Sequence, residues 1–117
     1  VPEARVGDAG IDWNMSEFVR VLAVADLPPG RAVEVDVGGR SVAVFNVGGD
    51  FHALVNRCPH RGGPLGQGFV EGSQVSCPWH NWTFDVTTGE NVASADITVE
   101  QHEVKVEDGY VYVKLAG

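Results

Sequence analysis

Cys58-Pro59-His60 and Cys77-Pro78-Trp79-His80 are the segments of this chain with the most chemistry to offer. Each pairs a thiol with an imidazole, and the spacing reads Cys-x-His, sixteen residues, then Cys-x-x-His. Thiolate and imidazole together make a transition-metal donor set, and two short loops can present four ligands around one point. Proline after each cysteine restricts its loop. Neighbouring glycines let backbone amides turn towards sulfur, where their hydrogen bonds would stabilise negative charge on thiolate or inorganic sulfide. Other readings of the same residues stay open. The four side chains can be packing and surface residues without a common role. Cys58 and Cys77 can form a disulfide, which leaves the paired histidines unexplained. Structural zinc is the stronger rival, because two cysteines and two histidines are an ordinary zinc set. Zinc fingers usually take both cysteines from one element and both histidines from another, whereas here each loop gives one of each. His52 and His102 lie in strand-like segments without matched partners and are assigned no chemistry.

Such loops need a rigid frame, and the rest of the chain reads as short strands punctuated by glycine. Phe18 to Val24 is β-rich and ends at Asp26-Leu27-Pro28-Pro29-Gly30. Ala32 to Val37 and Ser41 to Val47 flank Gly38-Gly39, a pair suited to a tight hairpin. Gly48-Gly49-Asp50 then leads into Phe51 to Asn56, and Phe69-Val70 pairs with Gln74-Val75-Ser76 across a short turn. Glu103 to Val106 and Tyr110 to Leu115 form a last hairpin, with Val104 and Val106 sharing one face and Val111, Val113 and Leu115 another. The only helical suggestion is a weak turn around Asp96 to Gln101. The expected fold is all-β, an antiparallel sandwich or small barrel with a cluster-binding part of two loops. Residues 57–68, with four glycines and two prolines, and 77–82 are the irregular stretches that such a frame would hold.

The paired boxes resemble those of the Rieske iron–sulfur proteins, with support from Arg61-Gly-Gly-Pro-Leu65, Gly68, Phe84-Asp85 and Thr88-Gly89. The resemblance runs from about Phe18 to Leu115 and implies a 2Fe–2S cluster, one per chain, with Cys58 and Cys77 on one iron and His60 and His80 on the other. The histidine-bound iron would take up the electron. Neutral imidazoles in place of two thiolates raise the potential above that of an all-cysteine cluster. High-potential members carry an extra cysteine pair and serine and tyrosine hydroxyl donors. Those four positions here read Gly63, Trp79, Trp82 and Phe84, so the low end of the Rieske range, around −150 mV, is expected. Trp79 and Trp82 would shield the cluster or form an apolar docking rim, with Trp82 expected to pack under its loop; Pro64 and Leu65 would also shield. Glycines 62, 63, 66 and 68 are expected as backbone-permissive positions. Residues 91–96 lack the proline-rich loop that relatives often place near the cluster.

Composition narrows the function. The 117 residues are 44% hydrophobic and 21% charged, as in an ordinary globular domain. A formal charge of −8 disfavours nucleic acid and anionic membrane surfaces and suits docking onto basic proteins. No stretch approaches the length and apolarity of a membrane span, and the start has no secretory pattern. The native start is expected at Met15, with residues 1–14 a non-native or loose leader and 15–117 a single domain whose cluster-binding part spans about 57–85. Shedding the leader removes Glu3, Asp8, Asp12 and Arg5, which leaves −6. The resemblance therefore implies a monomeric, cytoplasmic electron-transfer component rather than a complete enzyme. It would take one electron from a flavin-dependent reductase and pass it to a terminal oxygenase of the ring-hydroxylating type. The alternatives are the small subunit of an assimilatory nitrite reductase, partnered by its large subunit, and a zinc-stabilised binding module.

Overall fold

The computed structural model describes residues 18–59, 62–79 and 81–115. The expected leader, residues 1–14, lies outside them. Among the described residues nine strands run β1 Val19–Ala23, β2 Ala32–Val37, β3 Arg40–Val47, β4 Asp50–Val55, β5 Phe69–Glu71, β6 Gln74–Ser76, β7 Thr83–Asp85, β8 Gln101–Glu107 and β9 Tyr110–Lys114. All pairings among them are antiparallel, as the alternating pattern and glycine turns require.

Six strands form a base sheet in the order β1-β9-β8-β4-β3-β2, and its two edges curl towards one another. The remaining three form a smaller sheet, β5-β6-β7. Gly38 and Gly39 both sit at positive φ in the β2–β3 turn, the conformation that a two-residue hairpin needs and that glycine adopts without strain.

β3 explains how the two sheets are joined. Its residues Val42 to Asn46 are all buried, a continuous rather than alternating pattern, because both of its faces are covered. Val42 and Val44 point into the base sheet's interior with Leu27, Val37, Ala53, Val111 and Val113. Ala43 and Phe45 point the other way, into a second core with Leu54, Leu65, Val75 and Phe84. That second core joins the small sheet to the base and contains Cys58 and Cys77.

Two sequence expectations are corrected. Val104 stands opposite Val113 and Val106 opposite Val111, so the two valine sets share one face of the sheet rather than taking different ones. Asp96 to Gln101 holds no helical turn; the segment is irregular, with Thr98 bridged to Glu90, until β8 begins at Gln101. Short 3₁₀ turns occur instead at Val24–Asp26 and Leu65–Gln67.

Candidate metal centre

Loop 57–68 follows β4, and loop 77–82 joins β6 to β7. The two are closed by the same backbone bonds, nineteen residues apart. The Cys58 amide donates to Gly63 O at 2.8 Å, and the Gly62 amide donates to Cys58 O at 2.7 Å. The Cys77 amide donates to Trp82 O at 2.7 Å, and the Asn81 amide donates to Cys77 O at 2.9 Å. Gly62 and Asn81 take equivalent places and both adopt positive φ, 76° and 58°. Asparagine tolerates that region better than most side chains, and glycine is unstrained there.

Both cysteines are fully buried, and neither is in a disulfide. They belong to one packed group with Leu65, Val75, Phe84, Val86 and Val99. Gly63 is a point of close approach between the loops. Its carbonyl holds the Cys58 amide, and a Cβ added to it would stand 2.6 Å from Cys77 Sγ and 3.2 Å from the Trp79 ring. Gly63 is therefore small for reasons of space rather than of φ.

The surroundings match the expected shields in part. Leu65 is fully buried, and Trp82 packs against the group that holds both cysteines. Trp79 is 58% exposed, with part of its ring lying against Gly63 of the first loop. Segment 91–97, although free of proline, covers another side: Ile97 packs on the same group. Asn91 Oδ1 braces that segment by accepting the amides of Ala93 at 2.8 Å and Ser94 at 3.1 Å.

Four side chains that sequence reasoning missed tie the first loop to the base sheet. Asn56 Oδ1 accepts the Gly66 amide at 2.7 Å, and Asn56 Nδ2 donates to Glu34 Oε2 at 2.7 Å and Ser41 Oγ at 2.8 Å. Gln67 Nε2 donates to Glu34 Oε1 at 2.9 Å. The bonds from Gln67 and Asn56 hold the Glu34 carboxyl below its ordinary range against a smaller opposing effect of burial. No local signal marks this clasp, because its partners lie up to 33 residues apart.

His60, Arg61 and His80 lie outside the described residues, so the expected four-ligand set is represented by its two cysteines. Among the described residues no group of three or more metal-ligating side chains gathers elsewhere. His52 and His102 stay on the base sheet, paired across from Phe45 and Ala53. Two buried thiols on loops clamped by matching backbone bonds fit the thiolate half of a Rieske donor set.

Comparison with known proteins agrees. A family model described as Rieske [2Fe-2S] domain matches residues 17–108. The ferredoxin component of the naphthalene 1,2-dioxygenase/salicylate 5-hydroxylase systems of Ralstonia sp is 34% identical, over 84% of this chain and 95% of that protein. Human apoptosis-inducing factor 3 is 38% identical over 80% of this chain, but the chain spans only 16% of that relative's length. A chain solved in the complex of reduced oxygenase and oxidized ferredoxin of carbazole 1,9a-dioxygenase superposes with a TM-score of 0.78 at 33% identity, covering 86% of this chain and 94% of that one. With the buried cysteine pair, the twin loops and a match over most of its length, the chain belongs to the Rieske [2Fe-2S] domain family, and its cofactor is that family's 2Fe–2S cluster.

Proposed function

We propose that the chain is a Rieske ferredoxin: an electron carrier that receives one electron from a flavin-dependent reductase and delivers it to a terminal oxygenase of the ring-hydroxylating type. The observation that carries this reading is the likeness, over nearly the whole of that relative, to the ferredoxin component of a naphthalene 1,2-dioxygenase system. The likeness to a chain solved in a complex of oxygenase and ferredoxin supports the choice of acceptor. When bound, the 2Fe–2S cluster supplies a one-electron couple.

The chain's residues hold and insulate that couple. Cys58 and Cys77 supply the thiolates, and His60 and His80 the imidazoles, as one ligand set. The backbone bonds at Gly62, Gly63, Asn81 and Trp82 set the loop frames, while Leu65, Trp82 and Ile97 keep water from the thiolate side. All four ligands being protein side chains, the chain acts as carrier rather than as catalyst. Residues 15–117 form the functional unit, with 57–85 as its cluster-binding part, working as a monomer in the cytoplasm. No helix among the described residues is long and apolar enough to cross a membrane.

The test is direct. Purified protein should be red-brown, contain iron and acid-labile sulfide, and give a Rieske EPR spectrum on reduction. Reduced protein should then support turnover of a naphthalene dioxygenase terminal component. Zinc in place of iron, or a cluster that no oxygenase oxidises, would overturn the reading. Co-purification with a large sirohaem protein would favour the nitrite reductase subunit instead.

A further inference from the structure

The small sheet has one face turned to the core and one to solvent, and register shows what each carries. Val70, Val75 and Phe84 stand opposite one another and face inward, with Val75 and Phe84 fully buried. The flanking row faces out. Phe69 stands opposite Ser76, and Ser76 opposite Thr83. Val92 extends the row, since its amide donates to Thr83 O at 2.9 Å. Directly opposed residues of an antiparallel pair share a face, and Ser76 Oγ lies 3.0 Å from Thr83 Oγ1 accordingly. The row ends in two exposed apolar side chains, Phe69 at 69% and Val92 at 53%.

Two residues further from the Cys77 loop, the same face changes character. Glu71, Gln74 and Asp85 stand opposite one another, and Glu90 joins them through its carbonyl, which accepts the Asp85 amide at 2.8 Å. Glu71 and Glu90 are exposed and enter no ion pair among the described residues. Asp85 Oδ1 accepts the amide and hydroxyl of Thr87. The outward face is thus an apolar and hydroxyl row beside the cluster loop, backed by a row of carboxylates. The inner row abuts the loop directly, because Ser76 precedes Cys77 and Thr83 follows Trp82.

We propose that this face is a docking surface for a basic electron-transfer protein, which seats an apolar patch against Phe69 and Val92 and places lysine or arginine side chains over Glu71, Asp85 and Glu90. The proposal rests on the electron-carrier reading above. An exposed phenylalanine and valine gain by leaving water, and the carboxylates behind them select the sign of the partner and speed its approach. The area is small, which suits a contact that must release after each transfer. A partner seated there approaches the cluster from the side of the Cys77 loop.

The test uses reduced holoprotein mixed in a stopped-flow instrument with ferricytochrome c, a lysine-rich redox protein, as the probe. The pair Glu71→Lys/Glu90→Lys is compared with Asp26→Lys/Asp50→Lys. The control changes net charge equally at exposed positions outside the small sheet. At low ionic strength the first pair should slow the second-order reaction by about tenfold and the control by less than about twofold. The gap should close at high salt. Phe69→Ser should slow the reaction about threefold even at high salt, where apolar contact remains. Glu71→Gln/Glu90→Gln, a milder change, should fall between wild type and reversal, and cluster absorbance verifies each variant's fold. Equal slowing by both reversed pairs, or none by the first, would overturn the proposal. Wild-type protein whose reduced cluster passes no electron to the probe would instead overturn the carrier reading.

Discussion

Asn56 Oδ1 accepts the Gly66 amide at 2.7 Å and so closes, from the residue just before the first cysteine loop, the ten-residue path that carries Cys58. The same side chain reaches back to Glu34 and Ser41 on the base sheet. One side chain therefore ties loop and frame together. Removing Asn56 leaves a buried amide and an accepting carboxylate without their partner, a cost of about 1–3 kcal/mol. Asn56→Ala should lower the unfolding free energy read from urea curves by that amount and reduce iron per chain, and a urea curve equal to wild type would show the clasp to be incidental.

Ligand loss should be confined to the four residues of the two boxes. Cys58→Ser, Cys77→Ser, His60→Ala and His80→Ala should each abolish the Rieske EPR signal. His52→Ala, on the base sheet, should keep it in full. Iron and sulfide content measured beside the spectra separates lost cluster from altered cluster.

The potential should lie near the low end of the Rieske range, around −150 mV, because hydroxyl donors and the loop-bridging disulfide of high-potential relatives are missing at Gly63, Trp79, Trp82 and Phe84. Phe84 is fully buried in the group that holds both cysteines. A hydroxyl introduced there by Phe84→Tyr should move the potential upward. Protein-film voltammetry reads both, and a wild-type value above about +100 mV would contradict the expectation.

Gly68 should tolerate no side chain. A Cβ there would press on Ser76 O and stand 2.9 Å from Val75 Cγ2, so backbone must shift. Gly68→Ala should cost about 1–3 kcal/mol of stability by overpacking. Denaturation curves that superpose on wild type would show the end of the first loop to be more loosely packed on β6 than this contact requires.

Stability should fall on mild acidification. Burial pushes the His102 imidazole below its ordinary 6.5; Glu100 opposes this and Arg40 reinforces it. The folded chain thus refuses a proton that the unfolded chain accepts, so stability is full above pH 6.5 and declines below it. Glu34 acts at lower pH: its depressed carboxyl contributes above 4.5 and loses that contribution as pH falls through the folded value. Urea midpoints across pH 7.5 to 5.5 should decline in wild type and flatten in His102→Gln.

What could be read from the sequence was whatever a local pattern encodes. The cysteine boxes, the base-sheet strands and the β5–β6 hairpin follow from spacing, alternation and glycine pairs. β7 escaped, since Thr83-Phe84-Asp85 is too short to display a period. The Glu34–Asn56 contact escaped because its partners are 22 residues apart and ordinary in type. The valines of the last hairpin were misassigned because period two orders the residues within one strand, while only register decides how two strands align. Gly63 and Gly66 looked permissive and are instead points of close approach, which no torsional argument reveals.

The matching bonds at Cys58 and Cys77 involve main-chain atoms alone. Such a frame restricts side-chain identity at Gly62 and Asn81, where φ is positive, and asks no side chain to donate or accept. Pro59, Pro78 and Trp79, the positions between the ligands of each box, take no part in these bonds. Redox tuning and partner choice can then drift independently of folding, which makes the pair of loops an interchangeable cartridge on a fixed chassis.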